Sequence, residues 1–141
     1  MKAVPVFLAV LFFAALQAPA QAAEWTLLAQ SDNNDTTLYY AQKSVQILGD
    51  FVRLRTKRVY SKERGQEIAD DLGFPLAVAS TVETQTVDCA KMRRAVQKIT
   101  YYGHQGKILD RTLNQSYEWR SYPAESLNNA VCDLLFGGKK Q

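Results

Sequence analysis

The sequence predicts an α+β fold in which an antiparallel β-sheet of about six strands is covered by one C-terminal helix. Residues 52–57 read Val-Arg-Leu-Arg-Thr-Lys, an alternation typical of a strand with one buried and one wet face. Near the C-terminus, five apolar residues recur at helical spacing and define one face. They are Leu127, Ala130, Val131, Leu134 and Leu135. Several strands followed by a single helix are typical of the α+β class.

Residues 1–22 are predicted to be a cleaved signal peptide. Lys2 supplies the positive charge, an apolar run extends from Val6 to Leu16, and Ala20-Gln21-Ala22 fits the cleavage rule. The run is shorter than the about 20 apolar residues that span a bilayer. We therefore expect one exported domain at 23–141, in the periplasm or secreted. No cysteine stands at the predicted cleavage site, so lipid anchoring is not expected.

The strands are predicted from β-branched and aromatic segments separated by turn formers. Residues 61–74 interrupt this pattern with charged side chains and end at Gly73 and Pro75, which fits either a short surface helix or an ordered loop. Turns are expected at 89–91 and 103–106. The predicted strands are 25–29, 36–40, 52–57, 76–88, 92–102 and 107–113, and a brief segment at 44–47 leads into a turn at Gly49-Asp50.

The C-terminal helix is predicted to begin near Pro123, because the first turn of a helix tolerates proline. Glu125 would lie near the positive end of the helix dipole. Gly137-Gly138 would end the helix. On this helix Cys132 falls at the flank of the apolar face rather than at its centre.

Cys89 and Cys132 are the only two cysteines, and in an exported chain an even count predicts a disulfide. The bond would tie the end of a strand to the terminal helix. The alternatives are a redox pair or a metal site. Redox pairs are usually close, as in C-x-x-C, and two distant cysteines with one histidine cannot complete a zinc site. A structural bridge is the prediction.

Composition and motifs argue against several classes of function. The net charge of +3 for the whole chain is too small to indicate nucleic-acid binding. His104 lies between glycines in a predicted loop, without a nucleophile or orienting acid nearby in sequence. The acidic side chains between 63 and 71 lack the spacing of a calcium loop. We expect no enzyme, no catalytic residue, no cofactor, no metal and no stable membrane insertion.

The densest positive charge, a candidate binding stripe, consists of Arg53, Arg55, Lys57 and Arg58. If the first three share a face, they extend about 13 Å along a strand. Further basic residues on a neighbouring strand would extend the stripe: Arg93, Arg94 and Lys98. Such a stripe could meet an acidic glycan, lipid headgroups or an acidic protein. The simpler interpretation is a wet sheet face whose charges discourage edge pairing.

Several residues along the chain form a family pattern. They are Trp25, Tyr39-Tyr40, Gly49, Tyr60, Asp88-Cys89, Tyr101-Tyr102-Gly103, Trp119, Pro123 and Val131-Cys132. In this order they resemble the surface-adhesin protein E family of Gram-negative bacteria. The resemblance covers nearly all of the predicted mature chain.

The resemblance implies a small antiparallel sheet whose C-terminal helix is held by a disulfide. It also implies a non-enzymatic binding protein that attaches to host proteins such as vitronectin and laminin, and that can form a homodimer. The partner here, a protein or an acidic glycan, is not named by any motif. Ala41 replaces an aspartate that is common in the family. The alternative is a soluble periplasmic protein for envelope maintenance or inhibition, with no adhesion role.

Overall fold

The protein is described here by a computed structural model that covers residues 24–113, 118–123 and 126–137. The predicted signal peptide, Glu125 and Gly138 lie outside the described residues. The strands are β1 Trp25–Gln30, β2 Thr36–Ala41, β3 Gln46–Leu48, β4 Phe51–Tyr60, β5 Ser80–Asp88, β6 Arg93–Tyr102, β7 Ile108–Leu113 and β8 Arg120–Ser121. The α-helices are α1 Lys62–Leu72 and α2 Asn129–Phe136, and short 3₁₀ turns occupy Gln42–Ser44 and His104–Gly106.

The described strands form one antiparallel sheet in the order β1-β2-β4-β5-β6-β7. The short strand β3 pairs with β4, and β8 pairs with β6. Within the described residues the sheet therefore has eight strands, slightly more than the about six predicted. The difference arises largely at these two strands of three and two residues, which are too short to show a period in sequence.

Helix α1 occupies the segment that sequence left open between a helix and a loop. The Ser61 side chain caps its start by accepting a hydrogen bond from the Arg64 backbone N–H at 3.1 Å. Gly73, with φ of 76°, ends the helix in the left-handed conformation. The next strand begins only at Ser80, later than predicted, because the preceding residues contact α1. The Val78 N–H donates to the carbonyl of Gly65 at 3.1 Å.

Helix α2 is shorter than predicted, and its buried face is shifted from the predicted one. It begins at Asn129, so Pro123 lies before the helix rather than in its first turn. Val131 and Cys132 are buried, whereas Leu134 is 48% exposed. Cys132 therefore lies within the buried face and not at its flank. Cys132 faces the sheet, where it forms a disulfide with Cys89. Gly137 ends the helix as expected, with φ of 61°.

The Cys89–Cys132 disulfide joins the end of β5 to α2, with 5.8 Å between the two Cα atoms. It lies beside the main core, which includes Val52, Leu54 and Val87 from the sheet and Val131 from the helix. We call the side of the sheet that carries this core the covered face. Because α1 and α2 both pack on the same side, the other side of the sheet, the open face, presents its side chains without a helix of the described chain upon it.

Candidate functional site

The predicted basic stripe is divided between the two faces of β4. Arg53, Arg55 and Lys57 are alternate residues on the open face, opposite the buried Val52, Leu54 and Thr56. Arg58 is on the covered face, where its guanidinium pairs with Glu83. The structure therefore corrects the membership of the stripe. Three residues share a surface, whereas the fourth is a buried ion-pair partner, because neighbouring residues of a strand point to opposite sides.

The open face contains a cleft of about 490 Å³ near the middle of β4. Arg55 and Lys57 lie on its floor, and Trp25 of β1 stands at one side. The 3₁₀ turn at His104–Gly106 lies at the other side. The remaining lining residues are Glu24, Val59, Ala79, Ser80, Val82, Tyr102 and Gly103. The lining combines cations, aromatic rings and small side chains, which suits contact with a polar, negatively charged partner.

Trp25 contacts both cations of the cleft, although sequence did not single it out for binding. Its ring centroid lies 5.3 Å from the Arg55 guanidinium carbon and 5.8 Å from the Lys57 Nζ, within cation–π range. Trp25 pairs across the sheet with Ala41, and β2 separates Trp25 from β4. The contact between Trp25 and Arg55 joins residues 30 positions apart, so no local sequence pattern predicts it.

The charges of the cleft are only partly balanced. Arg55 donates to the Glu24 carboxylate at 2.7 Å, and both side chains are more than 40% exposed. Exposed pairs of this kind contribute about 0–1 kcal/mol, so Arg55 can exchange this partner at little cost. No ion pair of Arg53 or Lys57 is found among the described residues.

The three residues proposed to extend the stripe lie in different surroundings. Lys98 is exposed and pairs with Thr84, the residue that also pairs with Arg55, so it continues the open face two strands away. Arg93 donates to the buried Asp88 at 3.0 Å and stacks over Trp119 at 4.6 Å. Arg94 lies on the covered face with Glu83. Of the three, only Lys98 adds an exposed charge to the stripe.

On the covered face, Glu83 is buried between Arg58 and Arg94. Arg94 donates to the Glu83 carboxylate at 3.0 Å and to the Gln85 side-chain oxygen at 3.0 Å. Arg58 donates to Glu83 and, at 2.8 Å, to the Asn128 side chain just before α2. Burial acts to raise the pKa of Glu83, but the two guanidinium groups outweigh it and hold this pKa below its ordinary value. The cluster links the sheet to α2 electrostatically.

The other candidates remain on the surface. His104 is exposed in its 3₁₀ turn, and so are the α1 carboxylates of Glu63, Glu67, Asp70 and Asp71. The described residues contain no group of three or more side chains that could hold a metal ion. Within the same described part, no helix is long and apolar enough to cross a membrane.

Residues 25–135 match the family model described as surface-adhesin protein E. The chain belongs to this family. The match covers most of the chain and confirms the resemblance predicted from the aromatic and Asp-Cys pattern. Comparison with curated protein sequences finds no significant match.

Solved structures of Haemophilus influenzae protein E are similar to this chain. One, described as crystal form II, is 10% identical, with a TM-score of 0.46 over 77% of this chain and 84% of that one. A second is 13% identical, with a TM-score of 0.45 over 84% and 89% of the two chains. A third, from a non-typeable strain, is 12% identical, with a TM-score of 0.43 over 78% and 74%.

Proposed function

We propose that this surface-adhesin E chain is an exported, non-enzymatic binding module whose open face binds an acidic partner, either a glycan or an acidic segment of a host or envelope protein. The binding residues are Arg53, Arg55 and Lys57, with Trp25 as the aromatic wall of the cleft. Arg58 acts instead in holding the fold together. Family membership supports a binding role, and the open cleft supports its position.

The observation that carries this proposal is the exposed cationic and aromatic cleft on a helix-free sheet face. Arg53 is exposed, and Arg55 and Lys57 retain access to solvent beside the Trp25 ring. Charges with this access attract an acidic partner without first breaking a buried contact. Trp25 adds a flat apolar surface that can stack on a sugar ring or a peptide side chain. The combination favours a polyanion with apolar parts over a simple ion.

The test is retention on immobilised heparin, which serves as a sulfated polyanion probe. The mature chain is expected to bind at low salt and to elute as ionic strength rises, because screening weakens interactions between exposed charges. The double variant Arg53→Glu with Arg55→Glu is expected to elute at much lower salt, since it reverses one charge in the cleft and the neighbouring charge on the same face of β4.

A matched control separates a local site from overall charge. Lys62→Glu with Lys91→Glu makes the same change in net charge at two exposed positions outside the cleft. This control is expected to elute close to the parent. Equal elution of the two double variants, or parent retention no stronger than on an uncharged resin, would contradict the proposed site.

The place of action needs its own measurement. We propose export of the chain with cleavage near residue 22, followed by a role at the cell envelope or outside it. Fractionation of a C-terminally tagged chain among periplasm, outer membrane and medium would locate the product. Recovery in the periplasm alone would contradict direct adhesion to host molecules and favour an envelope partner for the same cleft.

A further inference from the structure

A second cavity, of about 310 Å³, lies on the covered face between α1 and the segment that leads into α2, and it is separate from the open cleft. Its floor is the Arg58–Glu83–Arg94 cluster of the sheet. Arg64 of α1 and Ser126, which precedes α2, lie at its walls. We call it the arginine pocket. Its size suits a small molecule rather than a polymer.

The charge of the arginine pocket is positive although a carboxylate lies at its floor. Three arginines and one glutamate line it, so the formal charge of the lining is +2. The Glu83 carboxylate is enclosed by two guanidinium groups, and its side chain is only 7% exposed. An incoming group would therefore meet the outer nitrogens of the arginines before it met the carboxylate.

The arginines retain donors that the cluster does not use. Within the described residues, the Arg94 side chain makes its two hydrogen bonds, to Glu83 and Gln85, through the same nitrogen, Nη1. The Arg94 side chain is 24% exposed to solvent. Arg64 has a single described side-chain partner, Glu67, at 3.5 Å, and 42% of its side chain is exposed. A guanidinium has five N–H donors, and two of them can hold one carboxylate or phosphate in a fork.

Hydroxyl groups complete the lining. The Tyr60 hydroxyl lies 2.9 Å from the Thr81 Oγ1, and burial raises the pKa of Tyr60, so it stays protonated at neutral pH. It is a neutral group that can donate or accept. Ser126 lies across the cavity, and its hydroxyl accepts a hydrogen bond from the Asn128 backbone at 3.1 Å. Both side chains can contribute to an oxyanion site without adding negative charge.

We propose that the arginine pocket binds a small oxyanion, a carboxylate or a phosphate carried by a small molecule. Arg64 and the outer nitrogens of Arg94 supply the charge-assisted hydrogen bonds, and Glu83 fixes the two floor arginines in place. A ligand here contacts both α1 and the segment leading into α2, so binding would also stabilise the covered face. This site is independent of the proposed open-face function, because it uses the opposite side of the sheet.

The test is a nuclear magnetic resonance titration of the ¹⁵N-labelled mature chain at constant ionic strength, with chloride as the compensating ion. One arm uses inorganic phosphate and the other uses succinate. Saturable shifts are expected at the amides of Tyr60, Glu83 and Arg94. Saturation by phosphate alone, succinate alone or both supports the pocket and identifies the ligand class.

Arg64→Gln tests the pocket without disturbing the buried cluster, since the Arg64 side chain bonds to Glu67 of α1 and not to Glu83 among the described residues. Loss of one charged donor is expected to weaken binding about tenfold. Arg64→Lys keeps the charge and should recover part of the affinity. Arg111→Gln removes the same charge at an exposed position of β7 outside both cavities and should leave the affinity unchanged.

Three results would overturn the proposal. The first is no saturation with either anion. The second is saturation whose shifts fall on the open face, at Arg55 and Lys57. The third is equal affinity for the parent and Arg64→Gln, because this result would show that the Arg64 side chain does not contact the bound anion.

Discussion

The two faces of β4 use the same residue type in opposite ways. On the open face, Arg55 pairs with Glu24, and both side chains are more than 40% exposed. On the covered face, Arg58 pairs with Glu83, and their side chains are 13% and 7% exposed. Three positions in sequence separate the two arginines. One of them is available to a partner, and the other is part of the structure.

This difference shows that a cluster of charged residues in the sequence does not reveal which of them stabilise the fold and which are available for binding. The burial of each side chain must also be known. An exposed pair gains little, because water screens it and two flexible side chains must be ordered. A buried pair has already lost its hydration, so removal of one partner leaves an uncompensated charge in the interior. Substitutions on the covered face should therefore reduce stability, whereas matched substitutions on the open face should leave it unchanged.

The largest effect is expected from the disulfide that holds α2 on the covered face. The two cysteines are 43 positions apart, so their bond restricts the unfolded chain by about 4 kcal/mol in the chain-entropy account. The double variant Cys89→Ala with Cys132→Ala should lose this amount in chemical denaturation. A midpoint equal to that of the oxidised parent would show that packing alone holds α2 in place.

A direct comparison of the faces comes from removing one carboxylate on each. Glu83→Gln leaves Arg58 and Arg94 without their buried counter-charge, and the free energy of unfolding should fall by about 3 kcal/mol. Glu24→Gln removes the exposed partner of Arg55 and should cost less than about 0.5 kcal/mol. Urea denaturation at neutral pH measures both. Similar losses for the two variants would refute the distinction drawn between the faces.

A third prediction concerns the close approach of α1 to the segment before β5. A Cβ atom placed on Gly65 would lie 1.9 Å from the Val78 carbonyl oxygen. Gly65→Ala should therefore destabilise the fold by about 2 kcal/mol, although alanine is the better helix former by about 1 kcal/mol. Gln66→Ala, at an exposed neighbouring position, is the control and should be neutral or slightly stabilising. An increase in thermal stability for Gly65→Ala would mean that α1 can move away from this segment.

The smallest predicted effect is the response to acid. Because the native pKa of Glu83 is below its ordinary value of 4.5, the unfolded state binds more protons in the interval between them. The contribution of Glu83 is thus complete above about pH 4.5 and is lost as the pH falls through the native pKa. Its slope is at most about 1.4 kcal/mol per pH unit.

Glu83→Gln should remove this part of the acid dependence, and Glu24→Gln should retain it. The measurement is the free energy of unfolding of both variants and the parent between pH 5 and pH 3. Identical slopes for the parent and Glu83→Gln would contradict the role of the buried carboxylate. Comparison of slopes rather than absolute stabilities separates this effect from the loss already expected at neutral pH.

Sequence patterns predicted most of the sheet because residues close in the chain determine them. The alternation at 52–57 correctly assigned the buried side of β4, and the turn formers located most of the hairpins. The face of α2 was predicted only in part, since Val131 and Leu135 pack in the core whereas Leu134 fits the apolar spacing but remains exposed. A helical period identifies an amphipathic helix, but the disulfide and the neighbouring chain decide how it is rotated.

The sequence predicted less of the candidate site than of the sheet. Arg53, Arg55 and Lys57 were found because they are consecutive on one side of one strand. Trp25 was missed as their partner, since β2 lies between it and β4. The arginine pocket has no local signature, because Arg58, Glu83 and Arg94 come from three strands. Such sites depend on strand order and register.

The sequence by itself determined the class of fold, the family and the two cysteines that tie its end to the sheet. These properties follow from local periodicity, residue order and composition. Only the tertiary structure decided which arginines are buried, which aromatic ring stands beside the exposed cations and where a cavity forms between the helices. The physical reason is that burial depends on what packs against a residue from distant parts of the chain, and burial decides whether a charge holds the fold together or is available to a partner.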